Sequence, residues 1–251
     1  IKLKDEHNYM LSNALSDILT GGKDKTYVIL TLTVTSKKVT LSVSIEGWTF
    51  GSYNEEVNSP KPNTENQGSA GTISFYYAKT TLTSIDGLSD ELKASFNDID
   101  NLSAFGINGL AAFGAGVPTD AGVYLVRAYA SGSGTNAFKA FVILPKEIDA
   151  PVFAPSGYEY NGNRQEYEIA LSDSAAINVL SVGCGVRRDN GKVYVYATDA
   201  NESGYEITFR LSSGNYVWKG KTGDDSTADI TGNKWIIRKA DDEITFAADT
   251  A

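Results

Sequence analysis

Apolar and polar positions alternate along most of this chain. The segments "YVILTLTV" (27–34), "VTLSVSI" (39–45), "TISFYY" (72–77), "VYLVRAYA" (123–130), "AFVIL" (140–144), "YEIAL" (167–171), "VYVYA" (193–197), "YEITFRL" (205–211) and "WIIR" (235–238) are short, rich in β-branched and aromatic residues, and bounded by Gly, Asn, Ser or Pro. In "GYEITFRLS", Tyr205, Ile207, Phe209 and Leu211 point one way and Glu206, Thr208, Arg210 and Ser212 the other, which predicts one core face and one wet face. Asn190-Gly191 separates two alternating runs in "VRRDNGKVYVYA" and predicts a hairpin, because a type I′ turn needs positive φ at both central residues. The expected class is all-β.

One stretch breaks the period. In "SIDGLSDELKASFNDIDNL" (84–102), Leu88, Leu92, Phe96 and Ile99 recur at helical spacing, Ser89 is a candidate N-cap, and Glu91 and Lys93 lie inside. The spacing predicts a single short helix, packed on a sheet, within an insertion at about 80–117.

The alternating segments also recur as groups. "PTDAGVYLVRAYASG" (118–132) and "TDANESGYEITFRLSSG" (198–214) share a Thr-Asp-Ala opening, a glycine just ahead of a tyrosine, an alternating strand and a Ser/Gly turn. Turns with Asn close to an aromatic follow in "SGSGTNAF" and "SSGNYVW", with a similar "KDEHNYML" near the start. Each leads to a strand with a lysine exit: "YVILTLTVTSKK", "KAFVILPKE" and "KWIIRKADD". This phasing predicts the end of one module (1–37), a second module (38–147), a third (148–240), and a linker or first strand of another (241–251).

Residues "IEGWTFGSYNEEVNSP" (45–60), "YEYNGNRQ" (158–165), "PTDAGVYLV", "GNYVW" and "WIIRKA" resemble the bacterial immunoglobulin-like repeats of long surface proteins, of the MBG type. The third module departs from that pattern by inserting Asn201, Glu202 and Ser203 ahead of Gly204. The resemblance implies tandem Ig-like β-sandwiches that serve as spacers or adhesive stalks, an extracellular or cell-surface location, and a monomer. It also implies a role for Tyr124 and Tyr205, because a tyrosine at a sandwich corner buries its ring and turns its hydroxyl back to the preceding loop.

Composition narrows the chemistry. A formal charge of −9 opposes nucleic acid or anionic membrane as a partner, and no apolar run reaches the length of a membrane helix. The chain opens at Ile1 without the features of an export signal, so any signal or wall anchor is expected outside it. The lone His7 makes a histidine-centred triad or multi-histidine metal site hard to build. Cys184, in "SVGCGVRR" with Val182 and Val186 on its side of a strand, reads as a buried thiol, with a nucleophile as the alternative.

Acidic runs at 97–101, 198–203 and 223–229 could offer oxygen ligands to Ca²⁺, yet none has an EF-hand pattern, and solvated loops explain them. Tyr76, Tyr77, Tyr129, Tyr194 and Tyr196 could stack on sugar or serve cross-strand packing, while Trp48, Trp218 and Trp235 read as core anchors. Paired carboxylates are expected by chance among 31 acidic residues, and no phosphate loop, nucleophile elbow or zinc motif is present. The expected function is a non-enzymatic spacer with no catalytic, cofactor or metal residues. The alternative is a module binding a glycan or a host or surface protein, with exposed tyrosines or the 80–117 insertion, the better candidate, as its recognition element.

Overall fold

The computed structural model describes residues 9–11, 34–36, 38–45, 49–54 and 60–240; here the chain is all-β, with a few short helical turns. His7, Trp48, most of the 27–34 segment and residues 241–251 lie outside the described residues. The strands divide between two units, residues 1–144 and 145–251.

The first unit contains β1 (Tyr9–Leu11), β2 (Val34–Ser36), β3 (Thr40–Ser44), β4 (Thr49–Ser52), β5 (Lys61–Glu65), α1 (Gln67–Ala70), β6 (Ile73–Lys79), α2 (Asp90–Lys93), β7 (Gly122–Ala130) and β8 (Thr135–Leu144). β1 pairs with β2, β3 pairs with β5, and a four-stranded sheet has the order β4-β8-β7-β6, in which β4 runs parallel to β8. Alternation sorts the side chains of this larger sheet between two cores. Tyr124, Val126 and Ala128 of β7 and Phe141 and Ile143 of β8 share one core with Val39, Leu41, Val43 and Ile45. Leu125, Phe138 and Ala140 face the other way, into a cluster with Phe96, Leu102, Phe105 and Ile107 of the insertion. Burial on both faces explains the near-continuous apolar run of β7, which one-sided alternation would not need.

The insertion differs from the expected single helix. Ser89 does cap α2, its Oγ accepting from the Leu92 N–H, but the helix stops at Lys93 and Ala94 is extended. Phe96 then pairs its backbone with Phe138 in both directions, at 3.0 and 2.7 Å, so it reaches the core as an extended residue. A 3-10 turn follows at Ile99–Phe105, started by the Asp98 carboxylate accepting from the Asp100 N–H. It buries Leu102 and Phe105 and leaves Ile99 exposed. Asn97, Asp98 and Asp100 favour caps and turns over helix interior, which ends the helical register that Leu88 and Leu92 begin.

The second unit contains β9 (Lys146–Ile148), β10 (Gln165–Ile169), β11 (Ile177–Val182), β12 (Gly185–Asp189), β13 (Lys192–Ala197), β14 (Asn201–Leu211), β15 (Tyr216–Trp218) and β16 (Ile230–Ile237). Its sheets are β10-β13-β12, β11-β14-β16 and a parallel β9-β15 pair. The predicted hairpin joins β12 to β13, with φ of 48° at Asn190 and 79° at Gly191. Residues 158–160 extend the β11-β14-β16 sheet by running parallel to the end of β16, where Tyr160 N donates to Arg238 O and Arg238 N to Tyr158 O. Phe153 touches Tyr167 of one sheet and Phe209 of the other, and Trp218 and Trp235 are fully buried. The Trp218 indole donates to Ala228 O, whereas that of Trp235 has no hydrogen-bond partner among the described residues and meets Tyr158 in a perpendicular ring contact.

Candidate functional site

Among the described residues, three places concentrate side-chain chemistry. The first is the pair of tyrosines behind the shared Thr-Asp-Ala openings. Tyr124 and Tyr205 are each 5% exposed, with their rings in the cores. Their hydroxyls donate to backbone carbonyls of the preceding loops, Tyr124 to Asp120 at 2.9 Å and Tyr205 to Asp199 at 2.7 Å. In both units the acceptor is thus the aspartate of Thr-Asp-Ala. Burial, then the neighbouring aspartate charge, holds both phenols above their ordinary pKa, so they stay protonated donors.

The two loops differ in length, and a bulge absorbs the difference. The tyrosine follows the acceptor by four residues in the first unit and by six in the second. On β14, Asn201 faces Ile237 and Tyr205 faces Trp235, so four steps of β14 span two steps of β16. The two surplus residues bulge out around the Asn201 side chain, which accepts from the Ser203 hydroxyl and the Gly204 N–H. The sequence inserted at Asn201–Ser203 is therefore accommodated without losing the corner.

The second place is the outer face of β10-β13-β12. Arg164 stacks on Tyr196 at 3.7 Å and Arg187 on Tyr194 at 4.0 Å. Glu166 joins the two guanidiniums, at 2.6 Å from Arg164 and 2.7 Å from Arg187. Arg187 also reaches Asp189, and Lys192 pairs with Glu168. The Arg187 hydrogen bond holds the Glu166 carboxyl below its usual range, and Lys192 does the same for Glu168. Tyr196 lies against Gly185, where any Cβ would overlap its ring, so backbone and guanidinium both take up its surface. Here the tyrosines serve cross-strand packing, with every stacked arginine neutralised inside the ladder.

The third place is the outer face of β6-β7-β8, beside the insertion. Arg127 lies between Tyr76 at 5.3 Å and Tyr129 at 4.9 Å, and its Nε donates to Asn136 Oδ1 at 2.6 Å. Tyr77 is elsewhere: it is buried against Phe141 in an edge-to-face contact.

The remaining residues singled out in the sequence are dispersed. Cys184 is not on a strand; it follows Gly183, with φ of 85°, in the two-residue link from β11 to β12, and Val182 is 67% exposed. Burial nonetheless pushes the Cys184 thiol up, away from nucleophile character. Asp98 is a cap, and Asp229 is held by Arg210. Among the described residues no three His, Cys, Asp or Glu side chains converge as a metal site, and no helix is long and apolar enough to cross a membrane.

The arginines were missed in the sequence although two signals locate them. Period-two spacing puts Arg127 and Tyr129 on one face, and the two-residue Asn190-Gly191 loop fixes Arg187 opposite Tyr194. No model of a known protein family matches the chain, and no match to a curated protein was found.

Proposed function

We propose that the two units are copies of one bacterial Ig-like sandwich module, and that the chain is a non-enzymatic spacer segment of a bacterial cell-surface or secreted protein. The observation that carries this reading is the repeated corner: in each unit the aspartate carbonyl of a Thr-Asp-Ala sequence receives the hydroxyl of a buried tyrosine. Sheet order supports it. The sequence β4-β8-β7-β6 in the first unit corresponds to 158–160, β16, β14 and β11 in the second, with the first pair parallel in both.

On this reading the insertion is an elaboration of one copy. It covers the part of the outer face of β6-β7-β8 around Leu125, Phe138 and Ala140, whereas the matching face of the second unit leaves Leu180, Val182 and Ile236 exposed. Such buried corners and covered sheets organise a framework, and the chemistry shared by the two units holds strands together. Small-angle scattering of the full chain tests the proposal. A profile of two bodies held apart supports the spacer reading, and a profile of one compact body removes it.

A further inference from the structure

The two tyrosine–arginine ladders differ. On the second unit each stacked guanidinium meets a carboxylate of the same face. On the first unit Arg127 is held more loosely by its two rings, at 5.3 and 4.9 Å, and by Asn136, and it makes no ion pair among the described residues. Its Nε is occupied and its two Nη groups form no hydrogen bond there. A guanidinium whose two Nη groups make no hydrogen bond among the described residues can offer a fork to a carboxylate, which accepts through both oxygens. Although the chain's net charge of −9 works against long-range attraction of anions, Arg127 has no acid partner among the described residues and so is a local positive point for an anion at close range.

We propose that Arg127 anchors a site for a carboxylated saccharide, with the hydroxyls of Tyr76 and Tyr129 beside the sugar. The surroundings favour a sugar over a peptide. Both phenol hydroxyls are without hydrogen-bond partners among the described residues, and Ser74, directly across from Tyr129, adds a third hydroxyl on the same face. Rings and hydroxyls around a cation suit a ring of alternating C–H and O–H groups. An extended peptide would use a strand edge, and at Tyr77 the edge of β6 is already taken by Gly114, whose N–H and carbonyl both pair with it, at 2.9 and 2.7 Å. The inference is independent of the spacer role, since a stalk can carry such a site.

Titration of the full chain with glucuronate, followed by amide and arginine Nε–H resonances, tests it. Glucuronate should shift the Arg127 Nε–H and the Tyr76 and Tyr129 amides saturably, while glucose at equal concentration leaves them in place. Arg127→Gln should weaken binding by about tenfold or more, as expected for losing a charge-assisted contact. Arg127→Lys keeps the charge and the fold but lacks the fork, and it should weaken binding comparably. The proposal is overturned if glucuronate causes no saturable shift, if glucose matches it, or if acetate or a dipeptide carboxylate binds as well. Arg127→Lys binding like the wild type would also overturn it, by reducing the effect to net charge.

Discussion

At the scale of single residues, the two corner tyrosines divide their work between ring and hydroxyl. Tyr205 buries its ring beside Trp235 and donates to a carbonyl in an exposed loop. In Tyr205→Phe that carbonyl can turn to water, so the loss should be that of one net hydrogen bond, about 1 kcal/mol. Tyr205→Ala also opens a cavity and should lose about 3–5 kcal/mol. Denaturant melts of the full chain separate the two: Tyr205→Phe melting like the wild type would show that the hydroxyl contributes nothing, and equal losses would show that the ring contributes nothing. A second residue-scale test uses pH. Burial raises the Asp173 pKa, but Lys146 at 3.2 Å and the N–H groups of Ala175 and Ala176 more than reverse this, leaving it below the ordinary value. A depressed carboxylate contributes stability that is present above its unfolded pKa of about 3.9 and is lost as pH falls through the folded value. Melts between pH 6 and the acid limit should therefore show a decline in the second unit that Asp173→Asn makes shallower. An unchanged slope would remove Asp173 from the acid sensitivity.

At the scale of elements, legibility follows from how local the determining physics is. The Asn190-Gly191 hairpin was readable because both positive φ values are demanded by two adjacent residues. Gly191 has open space where a Cβ would go, so Gly191→Ala should lose roughly 1–2 kcal/mol from backbone conformation alone. Gly185→Ala drives a methyl into the Tyr196 ring and should lose about 1–3 kcal/mol through displaced packing, with Arg164 released from its stack. If the order reversed, the ladder would be looser than its geometry implies. Other elements were opaque because their partners are distant. β5, "KPNTE", has no apolar alternation and contains Pro62, and it is a strand only because β3 offers it an edge. Phe96 fits a helical stripe by spacing and is taken instead by the backbone of Phe138. The run around Cys184 kept its period through the Gly183 turn, so alternation concealed a change of sheet between β11 and β12. Arg127 shows the same limit at the candidate site: spacing gives its face, but the lack of a carboxylate partner among the described residues is a property of three strands together.

At the scale of the whole chain, each unit has a core built from its own residues. The first gathers Leu41, Val43, Phe141 and Ile143 on one side of its sheet and Phe105 and Phe138 on the other. The second buries Ile177, Ile207, Phe209, Trp218 and Trp235. Strand pairing stays within a unit throughout, since every described ladder joins two strands on the same side of the Leu144–Pro145 division. Cooperative unfolding arises from shared core and shared sheet, so the chain should melt in two transitions, one for each unit. Phe105→Ala, at a fully buried site under the insertion, should lower the first unit's transition alone, and Tyr205→Ala the second unit's alone. With a loss of about 3–5 kcal/mol each, the shift should be roughly 10–20 °C. Differential scanning calorimetry of the wild type and both variants reads this directly. A single transition whose van't Hoff and calorimetric enthalpies agree, or two transitions that move together in either variant, would mean that the units fold as one cooperative body despite their separate cores.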